Sequence, residues 1–432
     1  MKRVFLYGVF AANLAVTVFF WWQGSGILLY GETAHILIAL GRLAGLISML
    51  FILTQLVLVG RIKYVEREYG HDKLNQLHRL LGKSLIFVLI FHPILLTIGY
   101  AMTHDVGIVS QFFDFIYNWE GVRNALIGFL LLCFIVSISI AIVRRKLRYE
   151  TWYFTHLFIY VAIYLFFSHQ IKTADVSSGA AFMYWYGINY SVFGLLLTYR
   201  FLRPLYLFWK HRFYVAQIEK ETPTVHSLYI RGKDMQDYHF EPGQFANLTF
   251  IRRGMWYTHP FSFSKAPDGQ SLRFSIKSSG DFTSMIPSIG VGTKVVIDGP
   301  LGVFVERKSL RTKFLFIAGG IGITPIRAMV EALKKQKADL VLLYGNRTDQ
   351  DIPFEKELQA LGIKHTHVLS QGTRTGYERG FIDGEKIKRL VPDFMEREVY
   401  LCGPPVMMKS VMKELETCGV AKDAIHFEIF AL

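Results

Sequence analysis

Apolar positions fall in two regimes along the chain. Up to about residue 212 they form long runs, and beyond it they alternate in short ones. Six of the long runs, residues 4–22, 36–59, 77–100, 125–143, 153–169 and 183–209, have the length of a membrane-spanning helix, about 20 residues. After Phe213 short alternating segments appear at 213–219, 227–231 and 244–250, punctuated by Gly and Pro. That spacing predicts a small antiparallel β-barrel. From about Arg311 apolar strands alternate with amphipathic stretches (314–318, 326–336, 340–344), which predicts a parallel α/β unit. The expected organisation is a membrane all-α six-helix bundle over 1–212, a β-barrel domain over 213–310 and an α/β domain over 311–432.

Composition supports the membrane half. The 432 residues are 52% hydrophobic and 19% charged, with 36 Phe and 22 Tyr. A soluble domain carries roughly 25% charged residues, so a disordered chain, a collagen, a disulfide scaffold and a lone soluble α/β enzyme all fit poorly. The net charge of +14 is also uneven: residues 1–212 hold 19 Lys and Arg against 9 Asp and Glu. Basic residues gather at 61–73, 144–148 and 210–212, whereas the alternate connections carry Glu32, Asp105, Asp114, Glu120 and Asp175. The positive-inside rule then puts both termini and the C-terminal half in the cytoplasm, and the charge calls for no nucleic-acid partner. Cys133, Cys402 and Cys418 supply neither a disulfide framework nor a zinc spacing. The Met1-Lys2-Arg3 start precedes an apolar run without a small-residue cleavage site, so it reads as a first membrane helix.

Four histidines stand out. His78 and His92 lie on the third run, His156 and His169 on the fifth. A lone intramembrane His is most often hydrogen-bonded to a neighbour. Here two runs of the same direction each carry a pair, 14 and 13 residues apart, or about 21 and 20 Å along a helix. Each level therefore offers two imidazoles on facing helices, as bis-histidine ligation of two stacked haems requires. A 13-residue step falls short of a whole number of turns, so the fifth helix needs a tightened or bent turn, or its two ligands reach from different flanks. Arg42, inside the second run, is a functional candidate by default, with haem propionates as partners. Arg79 and Lys83 either hold inner propionates or snorkel to the interface. His35, His71 and His104 fall at loops or run ends, where solvent accounts for them.

The second half carries turn motifs. Gly319-Gly320-Ile321-Gly322-Ile323-Thr324-Pro325 joins an apolar strand to an amphipathic helix, a Rossmann-like context in which glycines let a pyrophosphate approach the helix N-terminus. Cys402-Gly403-Pro404-Pro405 follows the strand Val399-Tyr400-Leu401, at a strand end where ligands sit in parallel sheets. His259-Pro260-Phe261-Ser262-Phe263-Ser264 offers rings and hydroxyls suited to a flavin, although taken alone it reads as an ordinary strand with Phe261 in the core.

Together these residues resemble the ferric reductase and NADPH oxidase superfamily, a six-helix bis-haem domain fused to a ferredoxin-NADP reductase-like module. The closest likeness is to a minimal prokaryotic NADPH oxidase. The resemblance covers nearly the whole chain and includes the histidine spacings. It also includes His259-Pro260-Phe261-Ser262, similar to an HPF[ST] flavin motif, and Gly280-Asp281-Phe282-Thr283, similar to a GD[WF]T segment at the flavin diphosphate. It implies FAD, NADPH or NADH, and two haem b, with His78, His92, His156 and His169 as iron ligands. Phe261 would stack on the isoalloxazine, with Ser262 near flavin N5. Pro260, Phe263 and Ser264 would complete that strand, and His259, Lys277, Gly280 and Thr283 would hold phosphates or the ribityl chain. Gly319, Gly320, Gly322, Thr324 and Pro325 would cradle the nicotinamide nucleotide, with Cys402, Gly403 and Pro404 beside the nicotinamide. Phe430 would cover the other flavin face. Arg347 is a partner for a 2′-phosphate, or a surface Arg. Two departures from the eukaryotic oxidases stand out. Leu96 replaces a further His one turn beyond the outer ligand, and the outer loops are short and Cys-free.

The resulting expectation is a multi-pass flavocytochrome of the plasma (bacterial inner) membrane. It would pass electrons from cytoplasmic NAD(P)H to an outer small-molecule acceptor, without an obligatory protein partner. Oxygen reduction to superoxide leads, followed by ferric or cupric chelate reduction and by relay to a quinone or protein. A nucleotide-regulated transporter is the weakest reading.

Overall fold

The computed structural model describes residues 2–140, 149–170, 174–306 and 312–428. They form two compact units, residues 1–69 with 73–200 and residues 70–72 with 201–432. Helices dominate the first: α1 (Lys2–Ser25), α2 (Thr33–Val59), α3 (Lys63–Tyr69), α4 (His71–His104), α5 (Ile108–Asn118), α6 (Val122–Ser139), α7 (Tyr149–Leu157), α8 (Ile159–Gln170) and α9 (Gly179–Leu196). Among the described residues, four helical stretches are long and apolar enough to cross a membrane: Leu6–Tyr30, Thr33–Val59, Lys73–His104 and Val122–Ser139. The shorter Thr151–Phe167 is also apolar. The sixth expected span falls outside that set. It is helical in pieces, α9, a wider π turn over Leu197–Leu202, and α10 (Arg203–His211), and Tyr184, Trp185, Tyr186, Asn189 and Tyr190 dilute its hydropathy. Residues 141–143 of the fourth expected span, and Arg144–Arg148, lie outside the described residues.

Small residues let these helices approach. A side chain at Gly41 would meet Leu96 at 2.9 Å, one at Gly99 the Ala34 carbonyl at 2.9 Å, and one at Gly128 the Ala162 carbonyl at 3.0 Å. Helix packing in a lipid-like interior depends on such contacts because the hydrophobic effect cannot drive it. The tightened turn expected in the fifth span is present. Phe158 separates α7 from α8 and donates its N–H to the Thr155 carbonyl, a 3₁₀-type bond.

The second unit begins with six antiparallel strands, β1 (Tyr214–Lys220), β2 (Val225–Arg231), β3 (Phe245–Phe250), β4 (His259–Ser262), β5 (Leu272–Lys277) and β6 (Val295–Leu301). They form two sheets, β1-β2-β5 and β4-β3-β6. Bridges at Tyr214↔Lys294 and Phe263↔Phe274 tie the sheets together around buried Phe213, Phe250, Phe263 and Phe274. Then come β7 (Lys313–Gly319), α11 (Ile323–Lys335), β8 (Asp339–Asn346), α12 (Glu355–Ala360), β9 (Lys364–Leu369), β10 (Glu378–Arg379), α13 (Gly384–Leu390), β11 (Glu398–Cys402), α14 (Pro405–Thr417) and β12 (Ile425–Glu428). These strands make one parallel sheet of order β10-β9-β8-β7-β11-β12. The chain runs outward from β7 on one side and returns to its other side at β11. The crevice between β7 and β11 is therefore the topological switch point, where parallel α/β sheets bind ligands.

Charged side chains clamp barrel to sheet. Arg273 of β5 forms two bonds to Glu357 of α12, at 2.7 and 3.1 Å, and Arg327 of α11 reaches the same carboxylate at 2.7 Å. Arg327 also pairs with Glu331, which accepts the Ala266 N–H at 3.0 Å. Burial alone would raise the Glu357 carboxyl, but the two guanidiniums outweigh it and hold the carboxyl below its usual range. Glu357→Leu leaves buried Arg273 without its partner. The expected loss is about 2 kcal/mol, discounted from a fully buried pair because Glu357 is a third exposed. It is checked as a fall in the thermal midpoint of flavin release from the full chain.

His367 of β9 is buried and stacks on Tyr377 at 4.8 Å. Burial first, then neighbouring His365, lowers its pKa to about 4. The folded chain thus keeps this imidazole neutral, while the unfolded chain protonates it near pH 6.5. Its contribution to stability is complete above about pH 6.5 and is lost as the pH falls towards 4. His367→Phe is expected to flatten the acid limb of thermal stability between those values, measured by the same flavin-release midpoint.

Candidate functional site

The two histidine pairs meet in the helical unit. The rings of His78 and His156 stand 6.3 Å apart by centroid, and those of His92 and His169 stand 5.8 Å apart. Metal–imidazole bonds of about 2.0–2.1 Å place two rings sharing one ion roughly 6 Å apart, so both separations suit a metal held between them. Orientation is set from behind. His92 Nδ1 bonds the Gly41 carbonyl at 2.8 Å, and His156 Nδ1 lies 3.3 Å from Ser139 Oγ, which accepts Trp152 Nε1–H at 3.2 Å. A His whose Nδ1 carries the proton presents its Nε2 lone pair to a ligand. His78 Nδ1 is buried with no hydrogen-bond partner among the described residues, an orphaned polar atom of the kind an arriving group satisfies. A side chain at Gly45 would meet the His92 ring at 2.6 Å, so α2 presents only backbone there. Among the described residues no group of three or more His, Cys, Asp or Glu is placed to hold a metal ion.

Around His92 and His169 opens a cavity of about 1030 Å³, with Arg42, Pro93, Tyr100 and Trp119 in its wall. Arg42 is anchored: Nη1 donates to Ser25 Oγ at 3.1 Å and Nη2 to Tyr100 Oη at 2.9 Å. Ser25 Oγ in turn donates to Asp175 at 2.6 Å. Sequence reasoning assigned no role to Ser25, Tyr100 or Asp175, because no local pattern links positions 150 residues apart. Arg79 and Lys83 are exposed on α4.

In the barrel, the two flavin-like motifs come together. The ring of Phe282 lies 4.0 Å from His259 and nearly parallel to Phe261 at 6.3 Å. Phe261 and His259 are half-buried, Pro260 is exposed and Ser262 is 7% exposed. Phe263 and Ser264, expected to complete that strand, turn inward. Both are fully buried: Phe263 stacks on Phe240 at 4.0 Å, and Ser264 bonds Ser275 and Arg273. The reason is that the strand passes from one sheet to the other after Ser262, turning these residues into the core. Thr283 Oγ1 accepts the N–H groups of Ser279 and Gly280 at 2.8 and 3.0 Å, so it shapes the Gly280 turn. Lys277 is half-buried at the end of β5.

In the α/β part, the pairing of Ala318 with Cys402 sets the two turn motifs side by side. A side chain at Gly322 would strike the Cys402 carbonyl, and one at Gly403 would meet Gly319 Cα at 3.1 Å. Gly320 has φ of +52°, a conformation costly to other residues. The Thr324 hydroxyl donates to the Ile321 carbonyl at 3.0 Å. Thr324 and Pro325 are buried, so they shape the turn while Gly320 stays open. Cys402 is fully buried with Ala318 and Tyr344 in the apolar core, while Pro404 is exposed. Arg347 is exposed just past β8, on the same sheet edge. Phe430 lies outside the described residues.

Three family models match in succession: a ferric reductase like transmembrane component over residues 44–167, an FAD-binding domain over 212–305 and an oxidoreductase NAD-binding domain over 316–413. Among curated proteins, the chain is 27% identical over 236 residues to the glycine betaine monooxygenase reductase subunit of Chromohalobacter salexigens (51% of this chain, 64% of that protein). It is 28% identical over 228 residues to an NADPH oxidoreductase of Mycobacterium tuberculosis (50% and 59%). It is 29% identical over 258 residues to flavohemoprotein B of Dictyostelium discoideum (51% and 60%). The chain thus spans about three fifths of the length of these relatives. The flavohem-like FAD/NAD-binding domain of nitric oxide dioxygenase from Vibrio cholerae superposes with a TM-score of 0.46 at 25% identity, covering 50% of this chain and 98% of that one.

The crowding at Gly322 generates a test. Gly322→Val forces a side chain into the Cys402 backbone, which no flexible group can relieve. The expected outcome is at least a tenfold rise in KM for NAD(P)H in dye reduction with flavin content retained, read by steady-state kinetics and flavin absorbance.

Proposed function

From the architecture of the ferric reductase and NADPH oxidase superfamily, which the succession of these domains gives this chain, we propose that the protein is a transmembrane flavocytochrome. It moves electrons from cytoplasmic NAD(P)H through FAD and two b-type haems to an acceptor on the outer side. The chain is an NAD(P)H oxidoreductase whose FAD- and NAD-binding domains are joined to a ferric-reductase-type membrane domain. The working boundaries are 1–212, 213–310 and 311–432, in the plasma membrane of a bacterium with both termini inside.

The observation that carries the reading is the pair of facing imidazole sets at two levels, at separations suited to an iron held between the two rings. His78 with His156 would hold the inner haem and His92 with His169 the outer one. His259 and Phe261, packed on Phe282, would receive the flavin, and the glycine turn beside β11 the nicotinamide nucleotide. Bound there, a flavin would supply the conversion of a two-electron hydride into the single electrons that haem iron needs. What the chain itself supplies is position: Gly41 and Ser139 orient two of the imidazoles, and the Arg273–Glu357–Arg327 clamp ties the flavin barrel to the nucleotide sheet. Oxygen is the acceptor favoured, because the outer cavity is walled chiefly by aliphatic and aromatic side chains and suits a small neutral molecule. Reduction of a ferric chelate is the second reading, favoured by the match to the ferric reductase family model.

One experiment separates these readings. The purified full chain is reduced with dithionite for its spectrum, then assayed for NADPH-driven cytochrome c reduction with and without superoxide dismutase. The expected result is b-type haem bands and dismutase-sensitive reduction. His92→Leu should lower that reduction at least tenfold while flavin-level dye reduction survives. Dismutase-insensitive activity with rapid Fe(III)-chelate reduction assigns the chelate instead, and a spectrum without haem bands overturns the flavocytochrome.

A further inference from the structure

Asp175 is almost wholly buried, at 5% exposure, in the connection between α8 and α9. Its Oδ1 accepts the hydroxyl of fully buried Ser25 at 2.6 Å, and that hydroxyl accepts from Arg42 at 3.1 Å. Its Oδ2 is buried with no hydrogen-bond partner among the described residues. The carboxylate is let in by Gly24, where any side chain would collide with it. A guanidinium, a hydroxyl and a carboxylate thus form one chain across α1, α2 and the α8–α9 connection. Its cationic end lies in the wall of the cavity that holds His92 and His169. Arg42 also directly follows Gly41, whose carbonyl orients His92.

Burying a carboxylate with a single hydrogen bond is costly unless a nearby cation offsets it. Arg42 is that cation, and the compensation works in both directions: Asp175 cancels most of the charge Arg42 brings to the cavity. We propose that Asp175 is a positioning residue that fixes Arg42 and sets the net charge felt at the His92–His169 site, and through it the reduction potential of the outer haem. The inference rests on the two-haem reading above. A positive charge beside a redox centre favours the form with one more electron, so unmasking Arg42 raises the potential and makes that centre a weaker donor to the acceptor. Removing Arg42 instead does the reverse.

The test is potentiometric titration of the full chain, following the two haem absorbances separately. Asp175→Asn keeps the size and the acceptor oxygen for Ser25. It is expected to shift one haem upward by about tenfold in its reduction constant, about 59 mV for one electron, and to leave the other in place. Arg42→Gln is expected to shift the same haem downward. Opposite shifts from two residues bridged by one hydroxyl are not what a general packing defect produces. The haem concerned is identified by its loss in His92→Leu. Two haems with unmoved potentials in Asp175→Asn overturn the inference while leaving the two-haem reading intact. If Asp175→Asn does not assemble, an unmoved or raised potential in Arg42→Gln overturns it. A parent chain with no haem bands overturns the underlying reading.

Discussion

A neutral imidazole has one lone pair to give, and which nitrogen carries it is decided by what the other nitrogen holds. In the helical unit this constraint is met through backbone geometry. His92 can bond the Gly41 carbonyl only because α2 and α4 approach closely, and they approach because Gly41, Gly45 and Gly99 carry no side chains to block them. Pro93 follows at once in α4 and has no N–H to return to the preceding turn. The small residues of α2 and the ring position of His92 are therefore one requirement. Replacing any of these glycines with a larger residue would shift the histidine as well as the helix.

The second unit meets a different constraint with similar means. A pyrophosphate-sized ligand must approach backbone, so the end of β7 and the end of β11 are built from glycines: Gly319, Gly322 and Gly403 pack almost atom to atom, while Gly320 faces open space. Register does the rest, since pairing of Ala318 with Cys402, 84 residues apart in sequence, brings two motifs to one sheet edge. Hydride transfer then depends on the angle between barrel and sheet, which a shared carboxylate, Glu357, holds from two guanidiniums. Because that carboxylate is only partly exposed, its grip is less easily screened by salt than a surface pair.

Patterns that repeat within one element were legible in the sequence; contacts between distant elements were not. The long apolar runs gave the helices, and the 14- and 13-residue steps led to the facing imidazoles, including the tightened turn realised at Phe158. Alternation gave the barrel and the parallel sheet. A motif does not reveal where a strand leaves one sheet for another, which is where Phe263 and Ser264 turn into the core. Nor does it reveal that the hydroxyls of Thr324 and Thr283 close local turns. Hydropathy counted Met183–Trp209 as a span by its length, whereas its Tyr, Trp and Asn content sets α9 apart from the four strongly apolar helices. Ser25 and Asp175 were invisible as a pair, for nothing in their own surroundings distinguishes them from ordinary helix-end and loop residues.

The bonded link from Arg42 to Asp175 shows why an intramembrane charge need not be a liability. An isolated arginine at mid-bilayer costs at least about 2.5–3.5 kcal/mol, and a carboxylate alone fares no better. Joined through Ser25, each offsets the desolvation of the other, and Tyr100 takes a further guanidinium donor. Such a link adds little to net stability, because desolvation absorbs most of the attraction. What it provides is a fixed dipole in a low-dielectric wall, where a given charge acts more strongly than in water. An apolar cavity lined by such a dipole can admit a neutral molecule freely and still hold an anion formed from it, a property that aliphatic walls alone do not have.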